Sequence, residues 1–144
     1  MSDFIALIGR ICLSAVFIAY GLPKFTNLSQ VLDNAGTKRF MDLVASGGPA
    51  PTWFAYFIAA VEFFGGIALL LGIKARWIAG AFVVYVAIIT YFAHPFWLVD
   101  AATYGIQKAN FYKNLGIIGG LLMLSLYGAG AISFDGRPAA SKVE

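Results

Sequence analysis

The chain has 144 residues, of which 60% are hydrophobic, 16% aromatic and only 12% charged, with a formal net charge of +3. Soluble domains carry about 25% charged residues, so this composition, with a mean hydropathy of +0.81, excludes a water-soluble globule and a disordered chain. The basic residues are scattered rather than clustered, which excludes a nucleic-acid footprint, and the single cysteine, Cys12, excludes an internal disulfide and a dithiol redox motif.

A membrane-spanning helix needs about 20 apolar residues. In chain order, the stretches 4–22, 52–73, 77–93 and 114–132 meet that need. The first closes at Pro23-Lys24 and lacks both a basic leader and a small-residue cleavage site, so it is expected to be a retained helix rather than a signal peptide. Within the long connection that follows, residues 38–46 place Phe40, Leu43 and Val44 at i, i+3 and i+4. That spacing predicts a short amphipathic helix, interfacial or re-entrant. Ser46-Gly47-Gly48-Pro49-Ala50-Pro51 then breaks the chain before the second span. Lys74-Ala75-Arg76 joins the second and third spans in a tight hairpin. His94-Pro95 closes the third, residues 94–113 form a second long connection, and Ser133-Phe134-Asp135-Gly136 closes the fourth.

The expected fold is all-α: one membrane domain over 1–144, a polytopic four-helix bundle, antiparallel and up-down. Trp53 and Trp97 fall on the long-loop face and Trp77 on the hairpin face, where an interfacial aromatic belt belongs. Lys74, Arg76, Arg137 and Lys142 are dense beside the helix ends on the hairpin side, so that side and both termini are expected in the cytoplasm. Gly116 and Gly120 form a Gly-x-x-x-Gly, which suits packing within the bundle or a homo-oligomer.

A charge at bilayer depth is expensive and normally faces a partner or a cavity. Arg10 lies about 9 Å below the hairpin-side surface, and Glu62 about 15 Å below the opposite one, so their depths are close enough for the two to pair. Tyr85 falls at a similar depth and is placed to hydrogen-bond the carboxylate. Arg10, Glu62 and Tyr85 are therefore expected to form a buried polar core. Either this core fixes helix register, or it handles protons or a ligand. Arg10, Ser14, Phe17, Gly21 and Lys24 also recur along one face of the first helix, with a cation at each end.

At the long-loop end a second constellation is expected. His94 ends the third span, Tyr91 lies beside it, Lys113 and Asn114 open the fourth, and Lys24 and Tyr56 come from the first and second. Phe96, Trp97, Phe111 and Tyr112 would rim it. A histidine and cations in an aromatic mouth suit an apolar ring bearing oxygens, such as a quinone or a phenol, with His94 as the candidate acid or base. One histidine and one cysteine exclude a bis-histidine haem and a thiolate-held cluster. No tightly bound cofactor is expected, so redox work would require a diffusible quinone or a partner carrying the redox centre.

The residues then carry a likeness. Arg10, Tyr20-Gly21-Leu22-Pro23-Lys24-Phe25, Val61-Glu62-Phe63-Phe64-Gly65-Gly66, Leu70 to Arg76, His94, Asn110 to Leu115 and Gly128 to Asp135, in that order and spacing, resemble the DoxX family of small bacterial inner-membrane proteins. The likeness covers about 5–137. It implies a four-helix inner-membrane bundle with cytoplasmic termini, associated with quinone-linked redox chemistry or with a soluble or membrane oxidoreductase. Arg10, Lys24, Glu62, His94, Lys113 and Asn114 fall on the family's recurring polar positions. His94-Pro95 departs from relatives that carry a second histidine, which argues against a metal site. Whether the chain is itself catalytic stays open. Two rival expectations are a non-enzymatic anchor or assembly scaffold and, less favoured, a small transporter.

Overall fold

The structure, a computed structural model, describes residues 2–136. Arg137 and Lys142, used above to argue topology, lie outside them. Among the described residues the regular structure is all helical. Its α-helices are α1 (Ser2–Gly21), α2 (Ser29–Leu32), α3 (Ala35–Val44), α4 (Thr52–Leu71), α5 (Ala75–Ala93) and α6 (Ala101–Tyr127), with 3-10 turns at Leu22–Phe25 and Phe96–Leu98. By length and composition, three segments are apolar enough to cross a membrane: Ser2–Phe25, Thr52–Leu71 and Ala75–Leu98.

Local chemistry sets the helix ends. Pro51, extended, stands before α4, and Gly72 ends it with φ 69°, in the left-handed conformation that glycine adopts without steric penalty. Asn34 starts α3 by accepting a bond from the Gly36 amide, 2.8 Å. The amphipathic segment expected over 38–46 is α3, which begins three residues earlier because of this cap.

The last helix needs a correction. It was expected over 114–132, but α6 begins at Ala101 and stops at Tyr127. Asp100 caps it, accepting from the Thr103 amide at 2.9 Å and the Thr103 hydroxyl at 2.8 Å. Hydropathy misses the first half because Gln107, Lys108, Asn110 and Lys113 are polar, whereas backbone hydrogen bonding is indifferent to that polarity. At the far end, Gly128 and Gly130 take φ of 83° and 78°, which ends the helix before Ile132.

α1 packs along α4, and α5 along α6. The core that joins the pairs is Phe17, Leu69, Ala79, Phe82, Val86, Leu121 and Leu124. Phe17 stacks on Phe82 with ring centroids 4.1 Å apart. The buried residues of α1 are Arg10, Ser14, Phe17 and Gly21, the face marked out by the sequence spacing. α3 docks on the end of α5: a Cβ on Gly36 would lie 2.7 Å from Ala93 Cα. Phe40 packs against Phe54 and Phe92, at 6.0 and 5.4 Å.

Candidate functional site

Two buried polar knots inside the helix packing engage α4. The first belongs to Arg10, only 1% exposed. Its Nη1 donates to the Leu70 carbonyl at 3.0 Å, and its Nη2 to the Ile132 carbonyl. The last four carbonyls of a helix have no partner within it, and Leu70 is one of those of α4. Around this knot the chain after α6 folds back over the α4–α5 turn. The Phe134 amide donates to the Leu71 carbonyl at 3.1 Å and the Asp135 amide to the Gly72 carbonyl at 2.9 Å. The Asp135 carboxylate accepts from the amides of Lys74 and Ala75, at 2.8 and 2.7 Å.

Arg10 therefore does not pair with Glu62, contrary to the expectation from depth. Leu70 lies eight residues beyond Glu62 along α4, roughly 12 Å of helix. The depth estimate fails because it measured each residue from a different membrane face. What sets the register is contact between α1 and α4. A Cβ on Gly21 would lie 2.6 Å from the Phe63 amide nitrogen, and one on Gly66 3.1 Å from Phe17 Cβ.

The second knot is centred on Glu62. Its Oε2 is salt-bridged to Lys24 Nζ, the only salt bridge among the described residues, with side chains 7% and 16% exposed. Its Oε1 accepts from the Tyr85 hydroxyl at 2.6 Å. Each carboxylate oxygen thus has its own donor, one an ammonium and one a phenol. An ammonium has three N–H donors, so Lys24 keeps two beyond the one given to Glu62. The Tyr85 ring also lines an apolar groove of about 440 Å³ between α4 and α5, with Phe57, Val61, Phe64, Ile78 and Phe82. Gly65 belongs to the same wall, where a Cβ would lie 2.6 Å from the Phe82 ring.

The long-loop residues make their hydrogen bonds outside their own set. Lys24 is taken by Glu62. His94 Nδ1 lies 2.8 Å from Gln107 Oε1. Asn114, buried, donates to the Thr90 hydroxyl at 3.0 Å, and Thr90 in turn donates to the Val86 carbonyl at 2.6 Å. Lys113 donates to Asn110 on its own helix, 3.0 Å. Tyr56 and Tyr91 are exposed. Among the described residues, no hydrogen bond joins any two of Lys24, Tyr56, Tyr91, His94, Lys113 and Asn114. The expected rim packs on itself: Phe96 and Trp97 both meet Phe111, at 5.3 and 5.7 Å.

Two further residues take part. Gln107 lies in the first half of α6, where Asp100 with Thr103 three residues on is the local signal that a helix begins. Asp135 ends the last span in sequence, and its bonds to Lys74 and Ala75 cross 61 and 60 residues, beyond any local pattern.

The DoxX family model matches residues 5–95, which carry Arg10, Lys24, Glu62, Tyr85 and His94. The chain is 32% identical over 131 residues to the inner membrane protein YphA of Escherichia coli K12, covering 91% of this chain and 88% of that one. It is 30% identical over 135 residues to the inner membrane protein YqjF of the same organism, covering 94% and 92%. It is also 25% identical to a Surfeit locus protein 4 homolog of Schizosaccharomyces pombe, covering 90% of this chain but 48% of that protein. No solved structure matches. With three apolar segments able to span a bilayer and a family match over well over half its length, this multi-pass membrane protein belongs to the DoxX family.

Proposed function

We propose that the protein binds a lipophilic ring compound of the quinone or phenol class and so supports redox chemistry in the inner membrane. In this reading α1, α4, α5 and the second half of α6 form an antiparallel four-helix bundle with cytoplasmic termini. The ligand's apolar part is taken by the α4–α5 groove, and its oxygens reach the Lys24–Glu62 pair past Tyr85, the one member of that polar cluster that lines the groove. One observation carries the reading. Tyr85 is at once a wall of the apolar groove and the donor to a buried carboxylate. A ring ligand with oxygens needs an apolar slot beside a few polar groups, and Tyr85 is the residue that joins the two here. The relatives named as inner membrane proteins support the location.

The protein's role is to orient the ligand and to exchange hydrogen bonds with it. Lys24 supplies N–H donors to a carbonyl oxygen, and Glu62 accepts from a hydroxyl. His94, already engaged by Gln107, stands apart from this site and remains a candidate acid or base at the long-loop face.

The test is titration of purified protein in lipid nanodiscs with a short-tailed ubiquinone or menaquinone analogue. Saturable binding is expected, weakened about tenfold by Glu62→Gln or Tyr85→Phe; tenfold corresponds to about 1.4 kcal/mol. Non-saturable partitioning in the unsubstituted protein overturns the proposal.

A second reading is a membrane anchor for an oxidoreductase. It is favoured by the first turn and a half of α6, exposed from Ala101 to Ile106. It expects copurification of a partner from native membranes, lost when that segment is altered, with no ligand binding.

A further inference from the structure

At the hairpin end of the molecule, away from Glu62, lies a cleft of about 550 Å³. Lys74, Arg76 and Trp77 line it from the α4–α5 turn and the start of α5; Tyr127, Gly128 and Asp135 line it from the end of α6 and the chain beyond. Trp77 is 83% exposed and Tyr127 77% exposed. Both rings sit at the ends of long helices, where aromatic side chains mark the headgroup level of a bilayer.

The charges around the cleft are unbalanced. Asp135 faces it, but its carboxylate is held by the backbone amides of Lys74 and Ala75 and not by either basic side chain. Asp3 accepts from the Ala131 amide at 3.0 Å. Arg10 is enclosed by the Leu70 and Ile132 carbonyls. Neither Lys74 nor Arg76 has a salt-bridge partner among the described residues. Arg76 lies across Gly128, its Nε 3.1 Å from where a Cβ would stand, so the absence of a side chain there gives its guanidinium room at the cleft. Two cations without a salt bridge and two exposed aromatic rings around one cleft call for an anion with an apolar body.

We propose that this cleft binds the phosphate of an anionic phospholipid headgroup, with Lys74 and Arg76 on the phosphate oxygens and Trp77 and Tyr127 against the upper acyl chains. Arg76 supplies the fork-shaped donor set that matches phosphate geometry, and Lys74 adds a second charge. The proposal is independent of the Glu62 site and of which way the chain crosses the membrane. A free phosphate offers the same oxygens, but it makes no use of the two exposed rings.

The test uses the full chain in phosphatidylcholine vesicles with Trp53→Phe and Trp97→Phe, so that Trp77 is the only reporter. Its fluorescence is quenched with brominated phosphatidylglycerol or with brominated phosphatidylcholine at equal mole fraction. Preference for phosphatidylglycerol beside Trp77 of fivefold or more is expected, given about fivefold per basic residue near a membrane surface. Lys74→Gln with Arg76→Gln brings the ratio to near one. Lys108→Gln with Lys113→Gln, which removes the same charge from the other end, leaves it intact.

A ratio near one before Lys74 and Arg76 are changed overturns the proposal, as does equal loss in both double variants. If the Lys74/Arg76 variant fails to fold, the unsubstituted pair still decides. Millimolar inorganic phosphate, compared with chloride at equal ionic strength, leaves a lipid site's preference in place and abolishes it if the site belongs to free phosphate.

Discussion

Gly21 rests against Glu62: a Cβ at position 21 would stand 2.9 Å from the Glu62 Cβ. This contact brings the end of α1 to the middle of α4 and delivers Lys24, three residues on, to the carboxylate. Gly21→Ala pushes the helices apart, because the nearest obstacle is the Phe63 backbone, which cannot swing aside. Its cost is expected at about 2 kcal/mol, in the range of an overpacked core. Gly9→Ala meets nothing within 4 Å and is expected to be neutral. Reversible unfolding of both variants in mixed micelles measures the difference.

Glu62→Gln keeps the shape but leaves the Lys24 ammonium half-buried without its anion. Removing one member of a buried pair costs about 3 kcal/mol, and the 16% exposure of Lys24 lets some of that relax. The double variant Lys24→Met/Glu62→Gln is expected to be more stable than Glu62→Gln alone. A double-mutant cycle in the same micelles reads the coupling, and additive single effects would refute the pairing.

Arg10→Met keeps the bulk and removes both bonds to carbonyls. About 2 kcal/mol is expected for each carbonyl left buried and unmet. The damage should be local first, freeing the strap of residues 128–136 from the α4–α5 turn. Chymotryptic cleavage at Phe134 is the readout, expected to accelerate in Arg10→Met and, more weakly, in Asp135→Asn. Equal cleavage rates in all three proteins would mean that Arg10 does not hold the strap.

Asp100 lies outside the spanning segments, and bonds from the Thr103 hydroxyl and then the Thr103 amide lower its pKa from the ordinary carboxylate value. A folded-state pKa below the unfolded one stabilises fully above the unfolded value, and the contribution disappears as pH falls through the folded value. The first turn of α6 is thus expected to fray in acid and to be firm at neutral pH. Hydrogen exchange at the Thr103 and Tyr104 amides follows it. Asp100→Ala is expected to exchange fast at every pH.

Much of this was legible from residue type alone. Solvent class follows from 12% charge, because desolvating charge is costly wherever it occurs. The buried face of α1 follows from spacings of three and four, which helical geometry converts directly into a stripe. The break at Pro51 follows from backbone chemistry acting on a single residue, whereas the hairpin expected at 74–76 falls at Gly72 to Lys74, because Gly72 takes the left-handed conformation and α5 already starts at Ala75. The early start of α6 was hidden, because a helix exposed on its polar side carries no hydropathy signal; its capping residue did.

What the tertiary structure alone decided is partnership. Arg10 in α1 and Lys24 in the 3-10 turn that follows it are both cations on the same side of the first span. Which of them meets Glu62 depends on how far α1 slides along α4, and hydropathy is nearly blind to such sliding. Gly21 and Gly66 stop the slide through close contacts with residues more than forty positions away in the chain. The same holds for Asp135, whose partners Lys74 and Ala75 come near only once α6 has turned back. Composition and period are properties of short segments and survive in the bare sequence; register is a property of two surfaces in contact and exists only after they pack.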